Sequence, residues 1–169
     1  MAPHLGPTLD SDRSLLAESD LAMKPAGRAA TDVVAATRDG WSIAIRAGSK
    51  PHRFIRIWAV VVEGRVFVRS WSLEPRSWYK TLLVEPHGVL QVGRKTMPFR
   101  AVRARGEPLK AAIDRAYLRK YARPSEAGYA RDLCGPRSRA TTTELILDLE
   151  SSAGRGPVYR APRARAARA

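Results

Sequence analysis

Arg56, Trp58, Arg69 and Trp71 lie on either side of the dipeptide Glu63-Gly64, inside two runs rich in β-branched and aromatic residues, 54–62 and 65–71. Such runs joined by a short glycine-containing turn read as a β-hairpin. A two-residue turn at Glu63-Gly64 sets the register, with Val62 opposite Arg65, Val60 opposite Phe67, Trp58 opposite Arg69 and Arg56 opposite Trp71. Side chains alternate between faces, so Val61/Val66, Ala59/Val68 and Ile57/Ser70 form an apolar side. The two arginines and two tryptophans then gather on the other side, within cation–π reach of one another. An indole holds an aromatic ring and a guanidinium holds a phosphate, so this face suits an anionic ligand that contains a ring. The same four residues also fit a self-contained cation–π ladder covered by a helix.

Neighbouring segments add to the first reading. The loop Gly48-Ser49-Lys50-Pro51-His52-Arg53 offers a hydroxyl and two cations, enough to clasp a phosphate, although it lacks the Walker spacing. Trp78-Tyr79-Lys80 opens a helix, whose first N–H groups favour an anion; Trp78 equally suits core packing. His4, His52 and His87 are scattered away from any carboxylate or thiol cluster, so no metal site is expected. No nucleophile elbow, dinucleotide fingerprint or paired-acid spacing is present. Cys134 is the single cysteine; no intramolecular disulfide can form, and a reducing, cytoplasmic compartment is expected. Its turn-like setting reads as an incidental thiol. Arg94, Lys95, Arg100, Arg103 and Arg105 read as a solvated face, with a nucleic-acid platform as the alternative.

The elements that must position these residues follow from periodicity. Helices are predicted over 29–37, 77–85, 107–121 and 125–133. Strands are predicted over 41–46, 54–62, 65–71, 89–92, 96–103 and 142–149. The clearest helix, 107–121, places Leu109, Ile113, Ala116, Tyr117 and Lys120 on one face. The order predicts an α+β fold, a small and mostly antiparallel split β-barrel flanked by helices.

The chain has 169 residues, 44% of them hydrophobic, which fits one domain. Its boundaries are expected at a disordered leader, 1–27, a barrel domain, 28–150, and a flexible basic tail, 151–169. Of the net charge of +14, the leader carries −2, the domain +11 and the tail +5. That balance attracts polyanions. The excess of arginine over lysine is also what a GC-rich genome produces, so the charge alone assigns no function. No apolar run is long enough to span a bilayer, and the leader lacks the pattern of a secretory signal.

The segments Ile57-Trp58-Ala59-Val60-Val61, Val66-Phe67-Val68-Arg69-Ser70, Trp78-Tyr79, the stretch from Ala112 to Tyr121 and Arg139-Ala140-Thr141-Thr142 together resemble an uncharacterised bacterial family, domain-of-unknown-function family 2255. More distantly, the order of the Gly48-Ser49-Lys50 loop, hairpin, Pro75-x-x-Trp78-Tyr79, strand, Gly93, strand and helix is similar to deazaflavin-dependent nitroreductase-type proteins. It is also similar to split-barrel pyridoxamine phosphate oxidases. That likeness implies a phosphorylated ring cofactor, FMN or a deazaflavin, and oxidoreductase activity on a small molecule. It implies phosphate contacts from Ser49, Lys50, Arg53, Arg56, Arg69 and Ser70, and ring contacts from Trp78 and Tyr79. With the hairpin tryptophans Trp58 and Trp71 and the adjacent Lys80, these form the expected binding set. The nitroreductase-type loop reads Gly-Arg-Lys-Ser-Gly, and the second glycine is missing here. Expected partners are the cofactor and a second copy of the chain in a homodimer, not a membrane. The alternatives are a cofactor-free basic module on nucleic acid, or a structural barrel without ligand.

Overall fold

The structure is a computed structural model and describes residues 25–147. Most of the expected leader and all of the basic tail lie outside the described residues. The elements run α1 (Pro25–Asp39), β1 (Ile43–Ala47), β2 (Ile55–Ile57), β3 (Ala59–Val62), β4 (Arg65–Val68), α2 (Trp78–Val84), β5 (His87–Val92), β6 (Lys95–Arg103), α3 (Glu107–Lys120), α4 (Ala127–Cys134), α5 (Pro136–Arg139) and β7 (Thr143–Leu147). Helix α1 begins four residues before the predicted Ala29, with Pro25 at its start, where a missing N–H costs nothing. The short α5 had no periodic signal.

The seven strands form one sheet in the order β2-β1-β5-β6-β7-β4-β3, every neighbouring pair antiparallel. The sheet curls into a nearly closed α+β barrel with a single seam. Its two end strands, β2 and β3, are consecutive in the chain and separated only by Trp58, so the chain itself bridges that seam.

The hairpin register holds from Ala59↔Val68 to Val62↔Arg65. Glu63 (φ 51°) and Gly64 (φ 71°) both take left-handed backbone, the requirement of a tight hairpin turn whose twist matches its strands. Below Ala59 the register changes partner. β2 leaves β4 and pairs with β1, Arg56 standing opposite Ala44. The predicted pairs Trp58/Arg69 and Arg56/Trp71 therefore do not form as ladder pairs. One long strand was expected because alternation runs unbroken through Trp58, and alternation does not say which neighbour a strand has.

Two cores result. Inside the barrel, Ile43, Ile45, Ile57, Ala59, Val66, Val68, Leu90, Phe99 and Leu145 pack with Val33 of α1 and Trp78, Tyr79 and Leu82 of α2. Outside it, Val60 and Phe67 pack beneath Ile113, Ala116 and Tyr117 of α3, Tyr121 just beyond it, and Ala130 and Leu133 of α4. The hairpin is thus apolar on both sides over β3 and β4.

Side chains at the end of α3 also satisfy the seam's open backbone. The Tyr121 hydroxyl accepts the Ala59 N–H at 3.1 Å and donates to the Trp41 carbonyl at 2.9 Å. Lys120 Nζ donates to the carbonyls of Ala59 and Thr37, both at 2.7 Å, and Tyr117 donates to that of Trp58 at 3.2 Å. Edge groups left unpaired by the sheet are costly when buried, and α3 supplies the partners the sheet lacks.

Candidate functional site

The expected binding set is divided among separate places. Four of its members, Lys50, Arg53, Trp78 and Lys80, line one cavity of about 790 Å³ between the 48–53 loop and α2. Arg76 adds a further cation that the sequence reading passed over, and Ile55, Pro75 and Val84 supply apolar wall. Its only local signal was its position between Pro75 and Trp78. The cavity lies in the size range of small-molecule sites.

The loop is held closely against α2. Gly48 takes φ +72°, and a Cβ there would meet Thr81 Cγ2 at 3.0 Å and Glu85 Oε2 at 3.2 Å. Its N–H donates to the His87 carbonyl at 2.8 Å. Ser49 donates both its hydroxyl (2.7 Å) and its N–H (2.8 Å) to Glu85 Oε2. Those two bonds hold the Glu85 carboxyl below its usual range, hydroxyl contribution first. Ser49 therefore serves a carboxylate, and that carboxylate lines the cavity among the cations. At the start of α2, Ser77 Oγ accepts the Lys80 N–H at 3.3 Å, so one of the helix's first donors is already engaged.

The other expected members stand elsewhere. Tyr79 is buried in the barrel core and, unlike Trp78, does not line this cavity. Arg56 lines a separate shallow cleft with Ser42, Ala44, Gln91 and Gly93, a consequence of β2 turning to β1.

Arg69 is only 2% exposed. Its Nε donates to Thr142 Oγ1 at 2.9 Å, Nη1 to Asp114 Oδ1 at 2.5 Å and to the Leu133 carbonyl at 2.9 Å, and Nη2 to the Lys110 carbonyl at 3.2 Å. The guanidinium also lies 5.5 Å from the Tyr117 ring centroid. Buried and with four of its five N–H donors engaged, it is not available to a phosphate, and this corrects the expectation for Arg69. Ser70 is buried beside it, its N–H donated to Thr141 Oγ1 at 2.8 Å and its hydroxyl to the Ser72 carbonyl at 2.7 Å. Arg139 completes the network, Nε on Asp114 at 2.9 Å and Nη1 on Glu107 at 2.6 Å. The Arg139-Ala140-Thr141-Thr142 segment is thus a clamp around Arg69 and Ser70.

Trp58 and Trp71 do meet on the outer face, ring centroids 5.5 Å apart, in an aromatic group with Tyr121, Tyr129 and Trp41. Trp58, Trp71, Tyr129 and Asp132 line an apolar recess of about 420 Å³ that shares no residue with the basic cavity. Arg123 lies 4.8 Å over Trp41. Cation–π contacts here are thus made by Arg69 with Tyr117, Lys120 with Tyr121 and Arg123 with Trp41, not between the four residues first paired.

Arg100 and Arg103, three residues apart on β6, point to opposite faces, and Lys95 is paired with Asp32 at 2.9 Å. Cys134 is half-buried, and burial pushes its thiol up, the Asp114 carboxylate adding to the effect. Among the described residues no group of three His, Cys, Asp or Glu is placed to hold a metal ion, and no helix is long and apolar enough to cross a membrane.

A one-seam α+β barrel with a basic cavity beside its second helix defines the class of protein. The chain belongs to the family described as "Uncharacterized protein conserved in bacteria (DUF2255)", matched over residues 33–145. Among solved structures it is similar to the conserved hypothetical protein Rv2991 from Mycobacterium tuberculosis. That match has 11% identity and a TM-score of 0.48, and it covers 85% of this chain and 96% of the other. No curated protein matches it.

Proposed function

We propose that the cavity between the 48–53 loop and α2 binds a phosphorylated ring cofactor, FMN or a deazaflavin. The observation that supports this is the convergence of Lys50, Arg53, Arg76 and Lys80 around one cavity that also has an apolar wall including Trp78. Several cations around a partly apolar hollow match a ligand with an anionic end and a ring. The residues fit such a cofactor: four cations line the cavity against one carboxylate, Glu85, that opposes a phosphate. When bound, a flavin or deazaflavin supplies hydride transfer, and oxidoreductase activity on a small molecule in the cytoplasm is the corresponding function. This chain's residues bind the phosphate, orient the ring and keep water from one side of it.

The test compares FMN with free riboflavin by flavin fluorescence anisotropy. Loss of a charge-assisted phosphate contact costs roughly 1.5–3 kcal/mol, so FMN is expected to bind about ten- to a hundred-fold more tightly. A Lys50→Ala/Arg53→Ala double variant removes that preference, whereas Arg103→Ala keeps it. Equal affinity for the two flavins, or no binding of either FMN or a phosphorylated deazaflavin well into the micromolar range, defeats the reading.

A further inference from the structure

We propose that the recess formed by Trp58, Trp71, Tyr129 and Asp132 is a binding site for an alkylated ammonium group. The three rings are steeply inclined to one another: Trp58/Trp71 63°, Trp71/Tyr129 77° and Trp58/Tyr129 90°, with centroids 5.5, 6.1 and 6.4 Å apart. The three centroids lie close enough together that one group in the hollow can come within the ~6 Å reach of a cation–π contact with each ring. Walls inclined at 63–90° to one another suit a compact, rounded group. They cannot sandwich a flat ring, which sets this recess apart from a cofactor-ring site.

Charge points the same way. The only charged group lining the recess is the carboxylate of Asp132, on a chain whose net charge is +14. A phosphate or carboxylate ligand would meet repulsion there, and a cation is attracted. Asp132 is also the only non-aromatic residue in the lining. A bare ammonium or a metal ion would lose most of its hydration without replacement, whereas a methylated ammonium is weakly hydrated and makes its contacts with π faces.

Two features show a hollow held open. Trp71 is 42% and Tyr129 59% exposed, two large rings left wet on one face. Behind them Trp58 is fixed by stacking on Tyr121, so the back wall is rigid. Among the described residues no cation of this chain sits over Trp58, Trp71 or Tyr129, although Arg123 lies over the adjoining Trp41.

The experiment titrates choline against its neutral isostere 3,3-dimethyl-1-butanol, read by NMR on the indole N–H signals with Trp71→Leu giving the assignment. Choline is expected to bind about 2- to 30-fold more tightly than the isostere, the range from an exposed to a desolvated cation–π site. Trp71→Leu and Tyr129→Leu each weaken choline several-fold at an unchanged melting temperature, because both rings are largely exposed. Asp132→Asn weakens choline and leaves the isostere alone. A trimethyl-lysine peptide is run beside choline. Tighter binding of the peptide identifies a modified side chain as the source of the group, and tighter binding of choline identifies a free small molecule. Equal binding of choline and the isostere, unchanged binding in Trp71→Leu, or no choline shift at all overturns the proposal. None of these outcomes depends on FMN, whose cavity has other walls.

Discussion

The indole of Trp58 lies flat against the ring of Tyr121, centroids 4.0 Å apart and planes within 5°. The same tyrosine hydroxyl accepts the Ala59 N–H at the barrel seam. One side chain therefore backs the aromatic recess and seals the sheet edge. Tyr121→Phe separates these roles, since it keeps the stack and removes the hydroxyl. Leaving the buried Ala59 N–H and Trp41 carbonyl without that partner is expected to cost about 1–3 kcal/mol in urea denaturation, with choline affinity unchanged. Wild-type stability in Tyr121→Phe would show that the seam is sealed by other groups.

Arg69 is buried, and its countercharge Asp114 is partly buried and shared with Arg139. Asp114→Ala leaves a guanidinium inside the protein without its countercharge, and a loss of about 3–5 kcal/mol is expected. Arg69→Met combined with Asp114→Ala removes both charges and is expected to be less damaging than Asp114→Ala alone. Equilibrium unfolding of the three variants checks the order. A double variant worse than the single one would mean that Arg69 is stabilised mainly by its carbonyl and Thr142 contacts.

Lys120 gives stability a distinctive pH dependence. Burial pushes its amine down to about 8, with Asp39 opposing the shift. The folded protein gives up this proton near pH 8, while an unfolded lysine keeps it to about 10.4. The unfolded state thus binds more protons in that window, and stability rises with pH across it. The neutral amine still has two hydrogens for its two carbonyl partners. Burial also raises the hydroxyl pKa of Tyr117 and Tyr121. Above about pH 10 their unfolded forms ionise first, and stability falls. The raised Cys134 thiol opposes the rise from about pH 8.5, so in a Cys134→Ser background denaturation midpoints from pH 7 to 11 should rise and then fall, and adding Lys120→Met should flatten the rise only.

In the basic cavity, Ser49 and Glu85 make opposite predictions from those of a phosphate-gripping loop. Ser49→Ala removes a hydroxyl already engaged by Glu85, so FMN affinity stays unchanged. Glu85→Gln removes the one carboxylate among the cations and is expected to tighten FMN a few-fold, more at low salt. Fluorescence titration at two ionic strengths distinguishes these outcomes. Weaker binding in Ser49→Ala would return the hydroxyl to the phosphate.

The hairpin was legible because its turn and its alternation agree, and Glu63 and Gly64 adopt the backbone that the register needs. The position of Arg56 was not, since nothing in local sequence announces that β2 changes neighbour at Trp58. Arg69 looked like a ligand because its acceptors lie far along the chain: Asp114 is 45 residues away and Thr142 is 73. A buried arginine and a binding arginine differ only in those distant partners. The loop and α2 did converge on one cavity through Lys50, Arg53, Trp78 and Lys80, because a short connection keeps the loop near the barrel's end. Tyr129 and Asp132 were missed. Their three-residue spacing on one side of α4 was a faint signal, and their aromatic partners come from the hairpin.

The seam also orders events in time. The β3–β4 and β5–β6 hairpins join residues close in sequence and can form early. The groups that seal Ala59 lie 61 and 62 residues downstream, so the edge stays open until α3 docks. Amide exchange at Ala59 should therefore follow the undocking of α3 and not the fraying of its own hairpin. During synthesis, a chain that has emerged only as far as β6 carries an unsealed strand edge, ready to pair with a neighbouring copy until Lys120 and Tyr121 arrive.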